Sequence, residues 1–106
     1  MSVSTHVLDA SRGVPAAAVA VTLDRLGADG WVRLESGATD ADGRHRFGAD
    51  TPTGTCRLAF GTGEYFAAQG VAAFYPEVSI TFSVAEGHFH VPLLLSPFAY
   101  STYRGS

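Results

Sequence analysis

Apolar side chains recur at every second position through much of this chain, and the 3.6-residue spacing of helices is nearly missing. Val78, Ile80, Phe82 and Val84 alternate with Ser79, Thr81 and Ser83; Val19, Val21 and Leu23 alternate with Ala18, Ala20 and Thr22. Val32 and Leu34 alternate with Trp31, Arg33 and Glu35, and Cys56, Leu58 and Phe60 with Thr55, Arg57 and Ala59. Successive side chains of an extended strand point to opposite faces, so each stretch reads as a strand with one apolar face. Between them lie Gly, Asp and Pro clusters at Asp9 to Pro15, Gly27 to Gly30, Asp40 to Gly43, Asp50 to Gly54, Ala85 to Gly87 and Ser96-Pro97. Seven or eight short strands so spaced predict an all-β fold, a two-sheet antiparallel sandwich. One short helix interrupts it: Thr62 is the expected N-cap, Glu64 sits in the first turn, and Gly70 closes the end after Tyr65 to Gln69.

A chain of 106 residues is enough for one core and not two, so residues 1–106 read as a single domain. Charged residues are only 16%, against roughly 25% for an ordinary soluble domain. Less surface is committed to charge, which favours an oligomer. All seven basic residues are Arg, and the net charge is −3; no basic stripe exists to displace counterions, so nucleic acid is not an expected partner. The single Cys56 cannot form an internal disulfide. No apolar run approaches the ~18 residues of a membrane span, and the start, MSVSTHVLDASR, lacks the basic and apolar regions of a signal peptide. The expectation is a cytoplasmic protein with no membrane contact.

Chemistry must come from few groups. In GHFHVPLLLS (87–96), His88, His90, Pro92 and Leu94 share one strand face, and Phe89, Val91, Leu93 and Leu95 the other, apolar one. Burial of the second face fixes the direction of the imidazoles on the first. His6 lies in the extended STHVLD segment, where a histidine is ordinarily just solvated. Arg44 follows the Asp42-Gly43 turn, and its planar fork suits a flat, anionic, oxygen-rich ligand. Arg46 shares its face, leaving His45 opposite and structural. His88, His90 and His6 could instead hold zinc, but two-residue His spacing is common and no CxxC or HExxH supports it. Cys56, on the apolar side of its strand, reads as a small core residue.

Six segments, Ser4-Thr5-His6-Val7-Leu8-Asp9, Gly13-Val14-Pro15-Ala16-Ala17, Thr39-Asp40-Ala41-Asp42-Gly43-Arg44, Thr62-Gly63-Glu64-Tyr65-Phe66, Phe74-Tyr75-Pro76-Glu77-Val78 and His88 to Ser96, resemble in order those of the transthyretin-like 5-hydroxyisourate hydrolase family. The ending Tyr103-Arg104-Gly105-Ser106 is similar to that family's signature. Departures are Phe89 and Phe98 where tyrosine is common, Ala99 for glycine and Tyr75 for phenylalanine.

The resemblance implies a transthyretin-like sandwich with one short α-helix, assembled as a homotetramer through edge strands with its sites at the dimer–dimer interface. It implies hydrolytic ring opening of a small-molecule substrate, 5-hydroxyisourate, at an amide bond, giving 2-oxo-4-hydroxy-4-carboxy-5-ureidoimidazoline, with no metal or other cofactor. Family catalytic residues fall on His6, Arg44 and His90; His6, Arg44, Tyr103, Arg104, Gly105 and Ser106 would bind substrate. Either His6 or His90 can serve as the base, since imidazoles titrate near neutrality. Ser106 offers a hydroxyl and, as the last residue of the sequence, a carboxylate. The alternative within the same fold is a binding protein without catalysis, as in vertebrate transthyretin, which lacks the histidine pair and the Tyr-Arg-Gly-Ser ending.

Overall fold

A computed structural model describes residues 1–48 and 50–106. The strands are β1 (Ser2–Asp9), β2 (Val14–Pro15), β3 (Ala20–Gly27), β4 (Gly30–Ala38), β5 (Arg44–Arg46), β6 (Gly54–Phe60), β7 (Val78–Val84), β8 (His88–Ser96) and β9 (Ala99–Thr102), with one helix, α1 (Thr62–Ala67). One sheet has the order β2-β1-β8-β9, with β5 also paired to β1; the other has the order β4-β3-β6-β7. Among the described residues the nine strands include the two-residue β2 and the three-residue β5, the shortest of them.

The inner faces of β1 and β8 meet as the alternation requires, whereas in β4 Val32 is exposed despite its place in the alternation. In β1, Val3, Thr5, Val7 and Asp9 are at most 1% exposed while Ser2, Ser4, His6 and Leu8 between them are half-buried. Phe89, Val91, Leu93 and Leu95 of β8 face Leu23, Leu58 and Phe60 of the other sheet within one continuous core. Burying each such aliphatic or aromatic side chain contributes about 1.5–3 kcal/mol, so inversion of either β1 or β8 would be costly. That fixes which side chains remain on the outer face.

Two expectations are corrected. The sandwich is not wholly antiparallel: β1 and β8 run parallel over eight residues, from Ser2↔His88 to Asp9↔Leu95. Side-chain alternation is the same in either direction, so the sequence carried no mark of it. Nor is Thr62 the N-cap. Gly61 caps α1 without a side-chain bond, and buried Thr62 is the first helical residue, its Oγ1 3.4 Å from Tyr75 O. The other end is as expected, with Gly70 at φ +69° and Val71 N–H donating to Phe66 O at 3.0 Å. No helix among the described residues is long and apolar enough to cross a membrane.

Local bonds fix the surroundings of β1. Beside His6 and Val7 the Asp40 to Gly43 turn delivers β5: Asp40 Oδ1 accepts from Asp42 N–H and Arg44 N–H, each at 2.9 Å. Gly43, at φ +76°, accepts a hydrogen bond at its carbonyl from Val7 N–H at 2.7 Å, and a Cβ there would collide with Val7 O. At the far end buried Asp9 accepts from the Ser11 hydroxyl at 2.5 Å, from the Ser11 and Arg12 N–H groups, and from Tyr65 O–H of α1 at 2.8 Å. Burial pushes against its ionisation, but these donors outweigh burial and hold its carboxyl below the usual range.

Candidate active site

Strand pairing assembles the polar groups on the outer face of the β1–β8 sheet. Arg46, Ser4 and His90 form one cross-strand row; Arg44, His6 and Pro92 form the next. Residues directly opposite on adjacent strands have Cβ atoms roughly 5 Å apart, so three segments distant in sequence converge within one side-chain length. Parallel pairing of β1 with β8 is what brings residues 4–6 beside residues 90–92.

The tail completes the first row. Past β9 the chain bridges back at His90↔Gly105, with Gly105 N–H donating to His90 O at 2.8 Å. A Cβ on Gly105 would lie 2.6 Å from His90 Cδ2, so the backbone runs against the imidazole with no room for a side chain. Ser106 then joins Ser4, Arg44, Arg46, His88 and His90 around a cavity of about 340 Å³.

Of the residues expected at the site, His6, Arg44, His90, Gly105 and Ser106 are brought together. Tyr103 and Arg104 lie on the other side of His90, outside the cavity that Arg44 and Ser106 line. Arg104 lies over the Phe89 ring at 4.5 Å from its centroid, and Tyr103 and Arg104 border a second groove of about 360 Å³ with His90, Ile80, Phe82 and Thr102. In an extended tail Arg104 alternates away from Gly105, and Phe89 sits on the face opposite His90. His45 points inward, as expected: its Nε2 is 3.3 Å from Glu35 Oε2 and its ring meets Phe47 edge-on at 4.6 Å. Cys56 is fully buried, and burial pushes its thiol up.

Ser2 and Ser4 were not singled out from sequence, yet both contact the histidines. Ser2 Oγ is 2.5 Å from His88 Nδ1, and Ser4 Oγ is 2.8 Å from both His88 Nε2 and His90 Nδ1. Their place on the His6 face followed from alternation; their partners required the pairing of β1 with β8. His90 is half-buried, and its pKa is pushed below the usual 6.5, first by burial and then by the electrostatic influence of His6, His88 and Arg44 beside it. That direction favours the neutral imidazole, the state a general base needs. The alternative of three imidazoles around one ion is not assembled: among the described residues no group of three or more His, Cys, Asp or Glu is placed to hold a metal.

The sequence profile of the HIUase/Transthyretin family matches residues 3–105. The chain belongs to that family. A 5-hydroxyisourate hydrolase of Salmonella dublin is 43% identical over 109 residues, covering 97% of this chain and 79% of the relative. The Klebsiella pneumoniae 5-hydroxyisourate hydrolase superposes with a TM-score of 0.91 at 40% identity, covering all of both chains. Sea bream transthyretin in complex with thyroxine superposes equally well, TM-score 0.91, at 34% identity over 97% of this chain and 93% of that one. Members of the HIUase/Transthyretin family thus share this backbone whether they are named as a hydrolase or as a thyroxine complex, so the side chains must discriminate.

Proposed function

We propose that the chain hydrolyses 5-hydroxyisourate to 2-oxo-4-hydroxy-4-carboxy-5-ureidoimidazoline, opening the six-membered ring at an amide bond in urate breakdown. The observation that carries this reading is the convergence of Arg44, His6 and His90 on one outer face, closed on one side by the Gly105-Ser106 tail. Arg44 holds the planar anionic substrate through its guanidinium fork and, with His6, faces the oxygen on which negative charge develops. Neutral His90 takes a proton from the attacking water at Nε2, the C–N bond breaks, and the same proton passes to the leaving nitrogen. No cofactor enters this scheme.

Residues 1–106 act as one domain in a homotetramer, in the cytoplasm. The open polar face carrying the site is the face we assign to the dimer–dimer interface, with two-fold symmetry. Tyr103 and Arg104, directed to the sandwich edge in a single chain, then contribute at the subunit boundary. Ultraviolet absorbance of freshly generated 5-hydroxyisourate tests the function: the protein, with or without prior chelator treatment, accelerates its decay in proportion to concentration. Decay at the spontaneous rate would refute it, and loss of activity on chelation would refute the metal-free scheme.

A further inference from the structure

The serines of β1 and the histidines of β8 form a continuous hydrogen-bonded chain, Ser2–His88–Ser4–His90, with contacts of 2.5, 2.8 and 2.8 Å. A hydroxyl carries one proton, and a neutral imidazole one N–H. Ser4 therefore donates to one ring only while accepting from the other, and the chain has two self-consistent senses. In one, His90 Nδ1–H donates to Ser4, Ser4 donates to His88 Nε2, and His88 Nδ1–H donates to Ser2; His90 Nε2 then presents a lone pair. In the reverse sense His90 Nε2 carries the proton and cannot act as a base. Among the described residues nothing hydrogen-bonds His90 Nε2, so that nitrogen is available to water or substrate.

We propose that Ser4 and His88 are positioning residues for His90: they hold it as the Nδ1–H tautomer with Nε2 open, and they carry the positive charge formed there out to His88. This rests on the reading of His90 as the general base. When His90 Nε2 takes a proton from water, the Nδ1 proton moves to Ser4 Oγ and the proton of Ser4 moves to His88 Nε2. One proton enters at His90 and none is lost, so the charge now resides on His88. Return of the two protons as the Nε2 proton goes to the leaving nitrogen restores the starting state. The direction has a physical reason: both rings border the cavity that Arg44 and Arg46 line, but His90 is half-buried whereas His88 is exposed to solvent, where a cation costs less.

Two measurements test this. Nitrogen-15 NMR of histidine rings, recorded without substrate, reads the tautomer directly: wild-type His90 carries its proton on Nδ1, and Ser4→Ala moves it to Nε2. Steady-state kinetics on 5-hydroxyisourate separate the positioning role from binding: Ser4→Ala lowers kcat about 10-fold or more with KM within about 2-fold, and Ser4→Thr, which retains the hydroxyl, recovers most of the loss. Wild-type His90 protonated on Nε2, or Ser4→Ala with wild-type kcat, would overturn the proposal. Because the tautomer is read without substrate, a failure of the hydrolase assignment, seen as wild-type protein that does not accelerate decay, is distinct from a failure of the hydrogen-bonded chain.

Discussion

Replacing Gly105 with Ala should damage catalysis far more than folding. The φ of Gly105 is outside the left-handed region, so alanine suits the backbone and the effect is steric alone. The added Cβ would stand 2.6 Å from His90 Cδ2, 3.2 Å from Cγ and 3.3 Å from Cβ. Carbon atoms rest about 3.5–4.0 Å apart, so roughly 1 Å of relief is needed. Either the ring tips, stretching its 2.8 Å bond to Ser4, or the tail lifts, breaking the 2.8 Å Gly105–His90 backbone bond and withdrawing Ser106 from the cavity. Tipping costs about 0.5–1.5 kcal/mol in rotamer strain, and lifting about 1 kcal/mol for the lost bond. A displacement of about 1 Å at a reacting group costs on the order of 100-fold in rate, or ~2.7 kcal/mol. Gly105→Ala should therefore lower kcat/KM about 100-fold, while a loss near 1 kcal/mol shifts the melting temperature by only about 4–8 °C. Absorbance kinetics beside calorimetry and size-exclusion chromatography check both. Kinetics within about 2-fold of wild type would show that the tail does not rest on His90 during turnover.

Arg44→Lys keeps the charge but loses the fork and should cost at least ~10-fold in kcat/KM, or ~1.4 kcal/mol; unchanged kinetics would remove Arg44 from the site. Because burial and neighbouring cations lower the His90 pKa below 6.5, the acid limb of kcat/KM should lie below pH 6.5 and move upward when Arg44→Gln removes one of those charges. The same shift means that the unfolded chain binds a proton there before the folded one does, so stability should fall as pH drops below 6.5 through the His90 value, and less so in His90→Asn. Tyr65→Phe deletes the 2.8 Å bond to buried Asp9 and should destabilise by about 1.5–3 kcal/mol at pH 7. Asp9 titrates below 3.8 in the fold, so its contribution is present above that value and lost as pH falls through the folded pKa, and the difference between wild type and Tyr65→Phe in denaturant titrations should shrink there.

Much of the architecture was legible because burial writes a two-residue period into sequence. Val78, Ile80, Phe82 and Val84 marked β7, the split between Phe89-Val91-Leu93-Leu95 and His88-His90 predicted which face β8 buries, and Arg44 and Arg46 were separated from His45 by the same rule. Strand direction leaves no such mark, so the parallel β1–β8 pair was missed, and with it the contact of Ser4 with both imidazoles. The N-terminus of α1 misled because Thr62 has the chemistry of a cap but is drawn into the core, where its hydroxyl finds Tyr75 O. Arg104 was grouped with its neighbours in the tail by the family motif, whereas alternation turns its guanidinium onto Phe89.

The central claim is that this face turns over 5-hydroxyisourate through His90. It is tested most directly by comparing wild type, His90→Asn and His88→Asn in one absorbance assay, with sedimentation or light scattering on the same samples. Wild type should accelerate decay as a tetramer; His90→Asn should lose at least ~100-fold, the usual weight of a general base, and His88→Asn about 10-fold, both with assembly preserved. A His88→Asn variant that is tetrameric and more impaired than His90→Asn, or a folded wild-type protein that leaves the spontaneous rate unchanged, would contradict it.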